Sequence, residues 1–162
     1  MKNLKKFAAL LLAGAMALLM LTACGGGGGG GSVNNPEEQK VLSQIGSQKG
    51  VQATSDAELR AVAEKNLNED LKVVWKLGNY AFVGGFHVDN LGDDLVVTIT
   101  AKYDYDNTLL SDILKRLSNY IDPNTGANVS QNGTWSKVGV VVKSNETQSY
   151  VGIAIRVKKL QK

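Results

Sequence analysis

Apolar positions at helical spacing open the part of the chain that is expected to fold. Asn35-Pro36-Glu37-Glu38 is typical of a helix start, with an N-cap, a proline at the first helical position and acids in the first turn. A longer stripe begins at Ser55, which has the spacing of a capping box with Glu58, and ends at Gly78. Its apolar positions are Leu59, Val62, Ala63, Leu67, Leu71, Val74 and Trp75. Two helices are therefore predicted before any strand.

The pattern then changes to the alternation that is typical of strands. Residues 80–88 and 95–103 are rich in aromatic and β-branched side chains, and turn-forming residues lie between them. In the second run the apolar positions alternate with Thr98 and Thr100, so one face of that strand is expected to be exposed to solvent. Gly84 interrupts the first run and predicts a bulge or a close backbone approach.

The remaining pattern completes the fold prediction. A third helix is expected over residues 108–121, a polar loop over 124–133, and two further strands over 135–142 and 150–157. The order α-α-β-β-α-β-β predicts an α+β domain that spans residues 36–162. It should contain an antiparallel sheet of about four strands with helices packed against it.

The segment before this domain has a different character. Three lysines precede an apolar stretch over residues 7–21, which is shorter than the roughly 20 apolar residues that span a bilayer. Leu21-Thr22-Ala23-Cys24 follows, and Cys24 is the only cysteine of the chain. A positive start, a short apolar core and small residues before a cleavage point are typical of a secretory signal. The tetrapeptide also resembles the lipobox of bacterial lipoproteins.

The lipobox resemblance implies that Cys24 takes a diacylglyceryl group and becomes the mature N-terminus after cleavage. The signal peptide then covers residues 1–23, and the lipidated cysteine with its glycine-rich linker covers residues 24–35. Durable anchoring needs more than one acyl chain. The implied location is the extracytoplasmic face of the cell membrane, with the membrane as a partner through Cys24. An ordinary cleaved signal followed by an unmodified cysteine is the alternative.

The net charge of the chain limits the kinds of molecule that the domain is expected to bind. The formal net charge of +3 comes from the lysines of the signal segment, so the mature chain is neutral. A neutral domain lacks the electrostatic field that gathers nucleic acid, and no nucleic-acid partner is expected. One histidine and no second cysteine argue against a structural metal site. No cofactor is predicted either, because the glycine motifs that bind phosphate groups are absent from the sequence.

His87, the only histidine, is the first residue considered for chemistry. Asp89 would share its face of a strand, and an imidazole beside a carboxylate suits a general base or half of a metal site. A surface histidine without chemistry is the alternative. The acid-rich turns near Asp93 and Asp106 suit either calcium or ordinary turns and helix caps. Since no serine-hydrolase motif occurs, the sequence predicts no catalytic residue.

Trp135 and Tyr150, together with the loop over residues 124–133, form a candidate ligand surface, to which His87 is added. An aromatic side chain beside an amide-rich loop is typical of surfaces that bind sugars or peptides. The edge of an ordinary hydrophobic core has the same composition, and that interpretation stays open.

A second resemblance involves the last strands. Residues 135–144 and 149–155 resemble the C-terminal hairpin of CAP (cysteine-rich secretory protein-like) domains, where a Val-Gly-Val strand precedes a turn and an aromatic-led strand. Residues 57–64 resemble the early helix of that family. The cavity of the family uses two histidines with acidic partners, whereas this chain has only His87 and lacks the Gly-Glu-Asn segment. No site residue is therefore carried over.

These patterns predict a membrane-anchored extracytoplasmic lipoprotein. Its globular domain is expected to act as a non-enzymatic module that binds a cell-surface protein, a wall glycan or a solute. One alternative is a decayed CAP-like or hydrolase-like domain that uses His87 with nearby acids, and acids from the second hairpin converging on His87 would favour it. A passive structural lipoprotein is the other alternative.

Overall fold

The computed structural model describes residues 35–77, 84–103, 107–144 and 148–159. These residues belong to one compact unit, Val33–Lys162, which contains both hydrophobic clusters of the described chain. The helices are α1 (Pro36–Lys49), α2 (Ala57–Leu77), α3 (Asn107–Ser118) and α4 (Val129–Asn132). The strands are β1 (Thr54–Ser55), β2 (Phe86–Leu91), β3 (Asp94–Tyr103), β4 (Ile121–Asp122), β5 (Ala127–Asn128), β6 (Gly133–Ser144) and β7 (Ser149–Lys158).

Five strands form one mixed sheet in the order β1-β6-β7-β3-β2. Strands β6, β7, β3 and β2 pair in antiparallel fashion, whereas the short strand β1 lies parallel to β6. Strands β4 and β5 form a separate two-stranded ribbon. The α+β class is confirmed, and the predicted strands correspond to the antiparallel part of the sheet. The sequence did not predict β1, the ribbon or α4.

The two first helices begin through side-chain caps. Asn35 accepts a hydrogen bond from the backbone N–H two residues on, at 3.0 Å, as predicted. Helix α1 then ends at Lys49 and is capped by Gly50, whose φ of 64° suits a residue without a Cβ. The predicted capping box at Ser55 is wrong, because Ser55 lies in β1. Asp56 caps α2 instead, and its Oδ1 accepts from the N–H of Leu59 at 3.1 Å.

Helices cover both faces of the sheet. On the first face, which we call the α1–α3 face, α1 and α3 pack on strand residues such as Val97, Val140 and Ile153. On the opposite α2 face, the stripe Leu59, Ala63, Leu67 and Leu71 packs on Val96, Val141 and Ala154. The prediction of a solvent-exposed strand face is therefore wrong, since α2 covers it. Thr98 and Thr100 are 0% and 2% exposed.

Several boundaries differ from the predicted ones. The first strand was expected over residues 80–88, but β2 begins at Phe86, and residues 80–83 lie outside the described part of the chain. The close approach at Gly84 is confirmed, because a Cβ there would lie 2.0 Å from the carbonyl oxygen of Thr100. The third helix ends at Ser118 rather than at Ile121, which belongs to β4.

Candidate functional site

Polar side chains gather where α2 crosses β2 and β3. Asn66 of α2 is 2% exposed, and its Nδ2 donates to Asp89 Oδ2 at 2.8 Å and to Thr98 Oγ1 at 3.1 Å. Lys65 Nζ donates to the other carboxylate oxygen of Asp89 at 3.0 Å. This half of the network satisfies the buried Thr98 hydroxyl and the half-buried Asp89 carboxylate through one helical turn of α2.

The other half of the network contains His87. Its Nε2 hydrogen-bonds with Asp70 Oδ2 at 2.8 Å, and the Thr100 hydroxyl donates to the same carboxylate oxygen. The N–H of Gly85 donates to Thr100 Oγ1 at 3.0 Å. His87 and Asp70 are half-buried, with side chains that are 26% and 18% exposed. A carboxylate accepts hydrogen bonds, so Nε2 of the imidazole carries the proton in this contact.

The acid that contacts His87 is not the one that the sequence suggested. His87 and Asp89 do lie on the same face of β2, as expected from strand alternation, but Asp89 is bonded to Asn66 and Lys65. The partner is Asp70, which the sequence analysis missed. One signal was present: Asn66 and Asp70 continue the row of Val62 at intervals of four residues, beside the apolar stripe of α2.

The acids of this network also differ from those that a hydrolase-like domain was expected to use. They come from α2 and β2, and the described residues of β6 and β7 include no aspartate or glutamate. The Thr100 hydroxyl donates its hydrogen bond to Asp70 and not to His87. It therefore lacks the contact with a base that activates a nucleophile. The arrangement instead joins α2 to the β2–β3 hairpin.

The electrostatics of the network favour an ionised Asp89. Burial by itself would raise the pKa of this carboxyl group, but the hydrogen bonds from Asn66 and Lys65 and the charge of Lys65 outweigh it. The pKa of Asp89 is accordingly held below its usual value. Among the described residues, no group of three or more histidine, cysteine, aspartate or glutamate side chains is placed to hold a metal ion.

Thr100→Val is expected to destabilise the domain by about 1–3 kcal/mol, because it removes the acceptor of the Gly85 N–H and one donor to Asp70 in a covered site. Thr54→Val is the matched control, since the Thr54 hydroxyl is exposed where it donates to the Ser136 carbonyl. Its effect should stay within about 0.5 kcal/mol. Urea unfolding midpoints at constant slope measure both changes. Equal midpoints for the two variants would contradict a structural role for the network.

The structure does not bring the candidate ligand residues onto one surface. Trp135 packs against the hydrophobic cluster of the α1–α3 face, whereas Tyr150 is 7% exposed and belongs to the cluster of the α2 face. His87 lies on the α2 face with Asp70. Trp135 therefore lies on the other side of the sheet from Tyr150 and His87.

The acid-rich turns are engaged within the fold where they are described. Asp94 pairs with Arg156 at 3.4 Å, and Asp93 is exposed in the turn of the β2–β3 hairpin. Asp104 and Asp106 of the second turn lie outside the described residues. The first acid-rich turn is thus the connection of the β2–β3 hairpin, and the Asp94–Arg156 ion pair stabilises it.

No protein family, curated protein or solved structure matches this chain. The class that the geometry defines is an α+β domain with helices on both faces of a mixed sheet.

Proposed function

We propose that the chain is a lipoprotein precursor whose folded domain is held at the extracytoplasmic face of the cell membrane. The anchor is a diacylglyceryl group on Cys24, and the domain acts as a non-enzymatic binding module. The observation that carries this proposal is the lipobox Leu21-Thr22-Ala23-Cys24 followed by a glycine run. The compact unit then begins at Val33, so a short linker separates the acylated residue from the domain.

The polar network does not favour the hydrolase-like alternative with a hydroxyl nucleophile. The imidazole of His87 is engaged by Asp70, and the nearest hydroxyl of the network, Thr100, is bonded to the same carboxylate. A hydrolytic site with a hydroxyl nucleophile would need that hydroxyl to contact the base. As for the route to the membrane, none of the described helices is long and apolar enough to span a bilayer.

Cys24→Ser is expected to abolish lipidation, because a serine hydroxyl does not replace the thiolate on which thioether formation depends. The measurement is incorporation of a labelled fatty acid in cells, followed by separation of membrane and soluble fractions. The unaltered chain should carry label and sediment with membranes, whereas the variant should carry none. Ser32→Ala lies outside the lipobox and is the control that should keep the label.

Two results would contradict the proposed lipid anchor. Label on the Cys24→Ser variant would show that the acyl chains sit elsewhere. Release of the unaltered chain as a soluble, unlabelled protein would identify an ordinary cleaved signal.

A further inference from the structure

The C-terminal ends of α1 and α3 meet beside the first residues of β6. Lys49 Nζ donates to Ser118 Oγ, and the Ser118 hydroxyl donates to the Leu114 carbonyl at 2.6 Å. The same ammonium lies 4.3 Å from the centroid of the Trp135 ring. One cation therefore joins three elements at this corner of the domain.

Two exposed aliphatic side chains adjoin this contact. Val51 and Ile121 are 39% and 57% exposed, and they are the only large hydrophobic side chains that are exposed in the described part of the chain. Val51 follows Lys49 by two residues, and Ile121 follows Ser118 by three. We call the surface formed by Lys49, Val51, Lys115, Ile121 and Trp135 the α1–α3 corner. Each exposed aliphatic side chain therefore follows closely in the chain on one partner of the Lys49–Ser118 contact.

The corner is also positively charged. Lys115 and Arg116 lie exposed in the last turn of α3, and Lys49 ends α1. Against these three cations stand two carboxylates between residues 107 and 122, Asp112 and Asp122. An excess of cations beside exposed aliphatic groups complements an anionic surface with an apolar interior.

The aromatic rings argue against a carbohydrate in this place. One face of Trp135 carries the Lys49 ammonium. Phe86 and Tyr120 stack on each other with centroids 4.3 Å apart, and the Arg116 guanidinium lies 5.9 Å from the Phe86 centroid. Trp135 is half-buried against the core and Lys49 covers one of its faces, so it offers little ring surface to a sugar. Exposed aliphatic groups beside cations suit the boundary of an anionic bilayer, and the corner supplies both.

The linker is long enough for the corner to touch the membrane that holds the acyl chains of Cys24. Helix α1 separates Asn35 from Lys49 by roughly 21 Å. Eleven residues join Cys24 to Asn35. A glycine-rich chain of that length has a typical span of roughly 17–20 Å and a limit of about 40 Å. Acyl chains on Cys24 and the corner can therefore reach one membrane.

We propose that the α1–α3 corner docks the domain on the anionic headgroup region of the membrane that carries its lipid anchor. The choice of this occupant rests on the proposed lipoprotein function. The exposed Lys115 and its neighbour Arg116 face the lipid phosphates, Lys49 holds the two helix ends together through Ser118, and Val51 and Ile121 enter the boundary between headgroups and acyl chains.

The test uses the chain from residue 24 onward with Cys24→Ser, which keeps the linker and the compact unit but carries no lipid. It is sedimented with vesicles of phosphatidylcholine alone or of phosphatidylcholine mixed equally with phosphatidylglycerol. Binding should be at least about tenfold stronger to the anionic vesicles and should weaken as salt is added.

Variants that replace a lysine with a glutamate identify which surface of the domain binds the vesicles. Lys115→Glu should weaken binding to the anionic vesicles about tenfold, because it replaces attraction with repulsion at the headgroups. Lys72→Glu is the matched control: Lys72 is exposed on α2, across the sheet, and its reversal should leave binding nearly unchanged. Ile121→Ser should weaken binding several-fold without altering the salt dependence.

The outcomes decide separately between this inference and the anchor. No binding to anionic vesicles, or equal losses for Lys115→Glu and Lys72→Glu, would overturn the corner proposal. Binding to insoluble wall polysaccharide without binding to vesicles would assign the corner to a glycan and overturn it as well. Because the tested chain has no lipid, none of these results depends on acylation, which the labelling experiment decides by itself.

Discussion

Gly139→Ala is expected to destabilise the domain by about 3 kcal/mol or more. A Cβ at Gly139 would lie 2.2 Å from the carbonyl carbon of Leu59, 2.3 Å from its oxygen and 2.4 Å from the backbone nitrogen of Arg60. These are backbone atoms of α2, so no rotamer change relieves the overlap. The helix would have to move away from β6, which would open the hydrophobic cluster of the α2 face.

Gly85→Ala is the matched control for this substitution. A Cβ at Gly85 would meet nothing within 4 Å, and its φ lies outside the left-handed region. The control should change stability by less than about 1 kcal/mol and can even be stabilising, because alanine restricts the unfolded chain. Urea unfolding of both variants gives the comparison. Similar midpoints would show that α2 does not rest on the backbone of β6 at this position.

Glu38→Ala is expected to cost about 2–3 kcal/mol of stability. Glu38 is 1% exposed, and its carboxylate accepts from Arg60 Nε at 3.2 Å and Nη2 at 3.0 Å. It also accepts the N–H of Val142 at 3.2 Å, along the edge of β6 beyond its pairing with β1. The alanine leaves that edge N–H without its acceptor. Arg60 is one-third exposed, so water compensates for part of its loss.

Glu37→Ala controls for the loss of an acid from the first turn of α1. Both glutamates lie in that turn, so the interaction with the helix dipole is lost in either variant. The salt bridge of Glu37 reaches Lys40, whose side chain is 67% exposed, and a pair of this kind contributes at most about 1 kcal/mol. Thermal and urea unfolding should show that Glu38→Ala is clearly less stable than Glu37→Ala. The opposite order of stability would show that Glu38 does not stabilise the edge of β6.

The sequence predicted the long elements because their signals are local. The N-cap at Asn35 and the apolar stripe of α2 depend on neighbours within two turns. The cap is confirmed, and so is the stripe from Leu59 to Leu71; the side chains of Val74 and Trp75 lie outside the described part of the chain. The same local evidence failed at Ser55, where Asp56 is the better-placed oxygen for the N–H of Leu59. Strands shorter than three residues, such as β1, leave no periodicity to detect.

The layer arrangement was beyond local evidence. An apolar stripe shows which side of a helix is buried, but it does not show which face of a sheet receives it. For that reason Thr98 and Thr100 were expected to be exposed, although α2 buries them and supplies Asn66 and Asp70 as their partners. The role of Gly139 has the same origin, since a glycine within a strand does not show which helix approaches it.

For the candidate site, too, some features follow from the local sequence and others depend on the tertiary structure. The proposed lipobox and the predicted neutral charge of the mature chain rest on the sequence itself, because a short motif and a net charge need no fold to be recognised. Strand parity placed His87 and Asp89 on one face, since alternation along a strand is also local. Only the tertiary structure decided that Asp70 holds His87 and that Trp135 lies across the sheet from Tyr150. It alone joined Lys49 to Ser118, because contacts between distant segments depend on how the layers pack.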